Sequence, residues 1–271
     1  MHLRWPGPAG ASPVGFTMAD LRRARGVATA IASAARFGHS TGMCGRFNVI
    51  DSPGLQQLLR DLGIDLQLPQ GVNLAPTEQV YLVRELGQRR VAQPARWWLT
   101  PSWAKEVSQK YAMFNARSET LTSSPAFRHP FRSQRGLVPM SSFIEWRVEG
   151  GVKQPWLITT EQEALAVAAL WDVWEGGDTP LLSCTLVTTA AARAFEPWHK
   201  RMPVLLAPDE YERWLDPGRE IAPSDPVFRS ELKLGLRLQR LSRVASDARN
   251  KDPQAQQGEG ELIELPADTP L

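Results

Sequence analysis

The sequence predicts an α+β domain with a mainly antiparallel β-sheet core. Short apolar runs of strand-like composition fill most of the chain after Met43, and Pro and Gly residues separate them. Helical segments do not alternate with these runs, as they would in a parallel α/β fold. With 271 residues, 42% of them hydrophobic, the chain can bury a substantial core.

The elements can be assigned in chain order. The run "GRFNVI" predicts a strand, and "SPGLQQLLRDLGI" predicts a helix that Ser52 caps and Pro53 begins. Helical turns are predicted for "TTAAARAFEPWH" and "APDEYERWL", and a polar loop with a short closing segment from Ser246 onward. Further strands are predicted for "QVYLVREL", "RRVAQPARWWL", "GLVPMSSFIEW", "QPWLITT", "ALAVAALWDVW" and "LLSCTLVTT".

Residues 1–42 differ in composition from the rest of the chain. They are rich in Ala, Arg and Ser and hold five arginines but one acidic residue. An organelle transit peptide, a disordered leader and sequence upstream of a misplaced start codon all fit this composition. Packable, periodic sequence begins only at Cys44, which favours the misplaced start. We therefore predict a leader at 1–42, a folded domain at 43–252 and a C-terminal tail at 253–271.

Charge and composition exclude several classes of protein. Without residues 1–42 the chain carries two more acidic than basic side chains, so nucleic-acid binding would need a local basic patch. No apolar run approaches the ~20 residues that span a bilayer, so a soluble protein is expected. Cys44 and Cys184 make no disulfide framework and fit a reducing compartment, which favours the cytoplasm. The sequence contains no CxxC and no HExxH motif, so we predict no metal site and no cofactor.

Cys44 has two possible roles. A free cysteine is usually a small buried apolar residue. If Met43 is the initiator and is removed, however, Cys44 carries both a free α-amine and a thiol. The amine can condense with an aldehyde to an imine, and the thiol can then close a thiazolidine ring. The same thiol could also act as a nucleophile with its own amine as base. Cys184, within an apolar run, is predicted to lie in the core.

Polar residues within apolar surroundings supply further candidates. In "MFNARSET", Asn115 and Arg117 follow a strand-like start, and the alternative is a capped turn with a solvated arginine. In "SSFIEWR", an apolar pocket around Glu145 would fit the carboxyl group for proton transfer. A strand that turns Glu145 toward water is an equally good interpretation. His199 precedes a basic pair and an apolar run, where a histidine can be structural or catalytic.

A last candidate surface combines "NLAPTEQV" with "WWLTPSW". These segments contain Pro76 and three tryptophans, of which Trp103 comes last. Most of the ten tryptophans must be buried, but an exposed one could stack on a base.

The order of these motifs resembles that of the SOS-response-associated peptidase family, which includes sensors of abasic sites in single-stranded DNA. The resemblance extends from Met43 to about Asp252. It departs from the family at Ser142–Ile144, where a Gly and an aromatic are usual. It also departs at 245–247, which read Ala, Ser and Asp where "NNP" or "GN" is common in the family. The motifs that carry it are "MCGRF", "NLAP", "WWLTPSW", "NARSET", "FIEW", "HKRMPVLL" and "SRVASDARNKD".

The resemblance implies a role for each matching residue. Cys44 would form a thiazolidine with the ring-opened sugar, and Asn115 would position it. Glu145 would assist proton transfer, and His199 would help to open the sugar. The implied DNA contacts are Arg46 and Arg117 to phosphates, Thr188 to the backbone near the lesion, and Trp103 and Pro76 to flanking bases.

The predicted function is therefore covalent capture of abasic sites in single-stranded DNA by a monomeric protein. It would act at the bacterial nucleoid, without membrane or cofactor. Because an acylated amine cannot form an imine, residues 1–42 would have to be absent or removed. The alternative is a thiol peptidase that uses Cys44 with His199 and Glu145 and that could act in cis to release the leader. A noncovalent single-strand binding module is a third class, which the acidic excess disfavours.

Overall fold

Two largely antiparallel β-sheets dominate the computed structural model, which describes residues 45–268. This architecture confirms the predicted α+β class; the predicted leader and Cys44 lie outside the described residues. The helices are α1 (Pro53–Asp61), α2 (Arg128–Ser133) and α3 (Tyr211–Leu215). The strands are β1 (Arg46–Val49), β2 (Gly71–Leu74), β3 (Gln79–Leu86), β4 (Arg89–Trp97), β5 (Asn115–Arg117), β6 (Arg135–Met140), β7 (Ser142–Glu149), β8 (Val152–Thr159), β9 (Leu165–Trp174), β10 (Leu181–Ala190), β11 (Arg201–Pro203), β12 (Leu236–Leu241) and β13 (Gly258–Leu265).

The first sheet has the strand order β13-β12-β8-β7-β1-β2, and each neighbouring pair is antiparallel. β1 therefore lies in the interior of the sheet, between β2 and β7. Phe47 on β1 is opposite Phe143 on β7 and also contacts Trp97, with ring centroids 4.9 Å apart. Because Trp97 belongs to the other sheet, the start of β1 is held between the two sheets.

The second sheet closes on itself. β10, β4, β3, β6 and β9 pair in that order, and β9 pairs again with β10. The C-terminal part of β10 continues beyond its pairings with β4 and β9. There β5 pairs with it in parallel on one side, and β11 pairs with it antiparallel on the other. The end of β10 thus gathers two short strands that are far apart in sequence.

Ser141 alone separates β6 of the closed sheet from β7 of the other sheet. Its hydroxyl donates to the Asn48 carbonyl at 3.0 Å and accepts from the Ile50 N–H at 3.1 Å. The junction between the sheets is therefore bonded directly to β1.

The predicted helix is confirmed as α1. The Ser52 side chain accepts a hydrogen bond from the Leu55 N–H, and Pro53 occupies the first turn, where a missing N–H costs nothing. Its apolar face is buried at Leu55, Leu58 and Leu59. Among the described residues, no helix has the length and apolar character that a membrane crossing requires.

The prediction of helical turns at "TTAAARAFEPWH" was only partly right. Thr188–Ala190 belong to β10, because they pair with β11. Beyond them, the N–H groups of Phe195 and Glu196 both bond to the Ala192 carbonyl, which makes hydrogen-bonded turns rather than a helix. Pro197 lacks an N–H and prevents these turns from continuing as a helix.

The stretch predicted as a C-terminal tail contains a strand of the domain. β13 pairs antiparallel with β12 over most of its length and forms one border of the six-stranded sheet. The closing segment, predicted to be short, is therefore a strand of 8 residues. Cys184 is fully buried on β10, as predicted, and burial raises the pKa of its thiol to about 12.

Candidate functional site

Glu145 is buried on β7, with 2% of its surface exposed. Alternation along the strand puts its side chain on the face of Phe143, which belongs to the main core, and away from Ile144. Trp156 on β8 is its cross-strand neighbour. The alternative in which Glu145 faces water is therefore wrong. A carboxyl group in such a low-dielectric site interacts strongly with nearby charges and dipoles.

The loop between β10 and β11 packs against this part of β7 and β8. Trp198 meets Trp156 edge to face, with ring centroids 5.7 Å apart, and Phe195 lies 6.1 Å from Phe143. Both contacts are made with residues that flank Glu145. The loop thereby brings the adjacent His199, which is half-buried, to the neighbourhood of Glu145.

His199 can use both of its protonation states. Its Nδ1 lies 3.1 Å from the Arg201 backbone nitrogen and 3.3 Å from the Arg201 carbonyl oxygen. The neutral ring can accept from that N–H, and the protonated ring can donate to that carbonyl. Burial lowers the His199 pKa, the carbonyl contact opposes this shift, and the Arg201 charge adds to it. The net direction is downward, which favours the neutral base near pH 7.

Arg201 joins His199 to β5 and β10. Its guanidinium donates to both carboxylate oxygens of Glu119, at 2.8 and 2.9 Å, and to the Thr188 carbonyl at 2.8 Å. The hydrogen bond from Arg201 is the main cause that lowers the Glu119 pKa. Both residues lie in the motifs examined above, but their pairing depends on the meeting of β5, β10 and β11 and gave no separate sequence signal.

Thr188 lies in the interior, although its predicted role was a contact with the DNA backbone. It is 1% exposed, and its hydroxyl lies 3.4 Å from the Ala116 carbonyl and accepts from Arg201 at 3.2 Å. A side chain so placed supports Arg201 from within the protein and cannot reach a DNA backbone at the surface. β10 is buried on both faces from Ser183 to Thr189 and becomes exposed only at Ala190, which explains the difference.

β5 presents the two predicted residues of the "NAR" motif. Its pairing with β10 sets Asn115 opposite Leu186 and Arg117 opposite Thr188. Asn115 is half-buried, and Arg117 is exposed. The preceding Phe114 is anchored by a hydrogen bond of 2.9 Å from the Trp97 indole to its carbonyl. Trp97, which contacts Phe47 of β1, therefore also fixes the residue before Asn115.

Arg46 lies at the start of β1 and is half-buried. Its guanidinium donates to Asn73 Oδ1 at 3.0 Å and to the Ser246 carbonyl at 3.3 Å, and it lies 5.7 Å from the centre of the Trp146 ring. Burial lowers its pKa, and the charges of nearby acids oppose the shift. The register of β1 and β7 places Arg46 opposite Ile144, so its side chain is on the other face of the sheet from Glu145.

The two predicted base-contacting residues are both accessible. Trp103 is 65% exposed, whereas Trp97 and Trp98 are buried. Trp103 lines an open cavity of about 430 Å³ together with Arg128, His129 and other residues. Pro76 is half-buried in the turn after β2.

The loop contacts thus place His199 in the neighbourhood of Glu145, while Asn115 and Arg117 lie beside the end of β10 and Arg46 lies on the other face of β1 and β7. The predicted place of Cys44 beside Asn115 stays a prediction, because Cys44 lies outside those residues. Between Gly45 and Asp268 no group of three or more His, Cys, Asp or Glu side chains is arranged to hold a metal ion.

Known proteins are similar to this chain in sequence and in fold. The chain is 37% identical over 183 residues to "Abasic site processing protein YoaM" of Bacillus subtilis, a match that covers 65% of this chain and 80% of the relative. It is 34% identical over 198 residues to "Abasic site processing protein YoqW" of the same organism, with 70% and 86% covered. A crystal structure of a Bacteroides thetaiotaomicron protein has a TM-score of 0.62 at 21% identity and covers 80% of this chain and 100% of its own.

A family model defines the relationship for most of the domain. The model described as SOS response associated peptidase (SRAP) matches residues 43–236. This range includes the "NAR", "EW" and "HKRMP" segments whose geometry is given above. The chain therefore belongs to the SRAP family.

Proposed function

We propose that this protein processes abasic sites by forming a thiazolidine crosslink between Cys44 and the sugar aldehyde in single-stranded DNA. The observation that carries the proposal is the contact of Trp156, the cross-strand neighbour of the buried Glu145, with Trp198, which precedes the half-buried His199. Glu145 follows Ile144, the partner of Arg46 at the start of β1, and Gly45 alone separates β1 from Cys44. The names of the relatives YoaM and YoqW support abasic sites as the target.

The chemistry requires proton transfers at two stages. The Cys44 amine adds to the ring-opened aldehyde, and loss of one water gives an imine. The thiol then adds across the C=N bond, so that a C–S bond forms and the thiol proton ends on the ring nitrogen. Glu145 would carry protons to and from the nitrogen and the departing oxygen. His199 would transfer the proton that opens the sugar ring.

The binding surface fits an extended strand without a base at the lesion. An abasic nucleotide leaves room for protein groups to reach its sugar, and single-stranded DNA needs no unpairing. Arg46 and Arg117 would contact phosphates, and the exposed Trp103 with Pro76 would support flanking bases. Arg46 and Arg117 would thus form a local basic patch, although the domain as a whole carries more acidic than basic side chains.

A denaturing gel tests the proposal. Protein beginning at Cys44 is mixed with single-stranded DNA that contains one abasic site, then heated in detergent. A heat-stable shifted band is expected with abasic DNA and with no other strand. A protein that leaves abasic DNA unshifted but cleaves a peptide amide would contradict the proposal and support the thiol peptidase that the family description names.

Replacement of either predicted phosphate contact should reduce the salt dependence of capture. For Arg46→Ala and Arg117→Ala we expect weaker binding and a slope of log affinity against log salt that is smaller by about 0.7 for the single strand. Fluorescence anisotropy at several salt concentrations measures this slope. Lys153→Ala, a change at an exposed position of β8, is the control. An unchanged slope in both arginine variants would remove them from the interface.

The lowered His199 pKa predicts the pH dependence of capture. As long as the ring must start neutral, the ratio of the wild-type rate to the His199→Gln rate, in which titration of the Cys44 amine cancels, should hold to a pH below the usual histidine value of about 6.5 and fall only as pH drops through the lowered pKa. His199→Gln should be slower and lose this acid limb. Time courses for both proteins from about pH 5 to about pH 9 cover the range on either side of the usual histidine pKa. The same acid limb in both proteins would assign it to another group.

A further inference from the structure

Asn73 lies on β2 and accepts a hydrogen bond from Arg46 with its side chain. Asn73 is completely buried, and its φ of 50° lies in the left-handed region, which asparagine tolerates better than most residues. A buried amide in this conformation needs a specific set of partners, because an unsatisfied polar group in the interior is costly.

Every polar group of Asn73 has a partner. Its N–H donates to Asn48 Oδ1 at 2.7 Å, and its carbonyl accepts from Lys251 Nζ at 2.9 Å. Its Oδ1 accepts from Arg46. Its Nδ2 lies within 3.1 Å of three carbonyl oxygens, those of Ala245, Asp247 and Asn250.

These bonds connect Arg46 with the loop at 245–251. The side chain of Asn73 binds the guanidinium with its oxygen and the loop with its nitrogen. The loop contributes the second acceptor for Arg46, the Ser246 carbonyl, and the Ser246 hydroxyl accepts from the Trp146 indole at 3.1 Å. Trp146 in turn lies beside the guanidinium. The orientation of Arg46 therefore depends on Asn73 twice, directly and through the loop.

The surrounding charges leave the charge of Arg46 unneutralised. The acids whose charges act on the Arg46 pKa are Glu78 and Asp247. Glu78 pairs with Lys251 at 2.7 Å, and Asp247 pairs with Arg249 at 2.9 Å. No acidic side chain of the described residues lies within ion-pair distance of Arg46 itself. A cation held only by neutral acceptors retains its attraction for an anion.

We propose that Asn73 is a positioning residue that fixes Arg46 and the 245–251 loop before DNA binds, so that the guanidinium meets a phosphate already oriented. This inference rests on the proposed function, which assigns Arg46 to a phosphate. Orientation in advance reduces the entropy that binding must spend on a long side chain. Neutral partners for Arg46 keep its charge available for the phosphate, which a carboxylate in place of Asn73 would not.

The test uses noncovalent binding, so that it does not depend on the crosslink. The probe is a single-stranded oligonucleotide with a tetrahydrofuran analogue of the abasic site, which has no aldehyde. Binding is measured by anisotropy at several salt concentrations for Asn73→Gly, Arg46→Ala and the double variant. Glycine is chosen because it accepts the φ of 50°. Gln154→Ala is the matched control, since it removes an amide donor to the Leu241 carbonyl at 2.7 Å but has no contact with Arg46.

Asn73→Gly is expected to weaken binding by about tenfold and to lower the salt slope by about 0.7, the loss of one phosphate contact. The double variant should bind no more weakly than Arg46→Ala, because both changes remove the same contact. Gln154→Ala should keep the wild-type slope. A folded Asn73→Gly protein with the wild-type slope, or losses that add in the double variant, would overturn the proposal.

Two further measurements keep the outcome decisive. Asn73→Asp keeps an acceptor for Arg46 but makes it a carboxylate and removes the donor to the loop carbonyls, so the salt slope should fall because Arg46 is neutralised and the loop is released. Heteronuclear NMR of the wild type should show separate Arg46 Nη signals before DNA is added, and a freely rotating guanidinium would contradict the proposal even if no variant folds. A wild type that binds the analogue but never crosslinks to abasic DNA would refute the proposed function and leave these results interpretable.

Discussion

A protein with one extra residue ahead of Cys44 is expected to form no heat-stable adduct with abasic DNA. The extension keeps the thiol but converts the α-amine into an amide, which cannot condense with an aldehyde. Thiazolidine formation therefore stops at its first step, whereas a thiol peptidase could retain its nucleophile. The measurement is the denaturing gel with purified protein whose N-terminus is verified by intact mass.

Three substitutions complete this experiment. Cys44→Ala should also lose the stable adduct, and Cys44→Ser should give at most an imine that borohydride traps. Cys184→Ala is the control; its buried thiol has no part in the chemistry, and only a small volume is lost from the core. Heat-stable adducts of the extended protein at the wild-type rate would reject the thiazolidine and favour the peptidase.

The second large effect is expected for Glu145→Gln. The amide matches the carboxyl group in shape but cannot release or take up a proton, so crosslink formation should slow by about 10²–10⁴-fold without loss of the fold. Single-turnover time courses on denaturing gels measure the rate, and thermal melting checks the fold.

Glu161→Gln is the matched control for this prediction, since Glu161 is exposed in the loop after β8 and makes a surface ion pair with Arg237 at 3.4 Å. It should crosslink at the wild-type rate. If Glu145→Gln is folded and equally fast, the buried carboxyl group has a structural role alone.

Local sequence signals predicted the elements whose causes are local. The Ser52 cap and Pro53 identified α1, and β-branched or apolar runs identified β1, β3, β4 and β6 to β10, whereas β2, β5, β11 and β12 were not predicted. The turns after Ala190 were less predictable, because an Ala-rich segment has helical propensity while the pairing of β10 with β11 decides its start.

The site was predictable only where side-chain chemistry dominates. Glu145 was a candidate in the sequence, but its burial depended on the face that β7 turns to the core, and one strand pattern fits either face. The three-residue β5 has no pattern of its own and is a strand because β10 is beside it. The partners of Asn73 lie more than 170 residues away at the 245–250 carbonyls, a distance along the chain that no local signal can bridge.

The border strands of the six-stranded sheet bear on how the protein behaves at high concentration. β2, at one border, has four residues, too few to offer a long template to another chain. β13, at the other border, is longer, but Glu259, Glu261 and Glu264 are exposed along it. A second molecule that added its own β13 there would bring like charges together. This repulsion opposes the edge-to-edge addition by which sheet proteins aggregate, so the longer border strand is protected by its charges and the shorter one by its length.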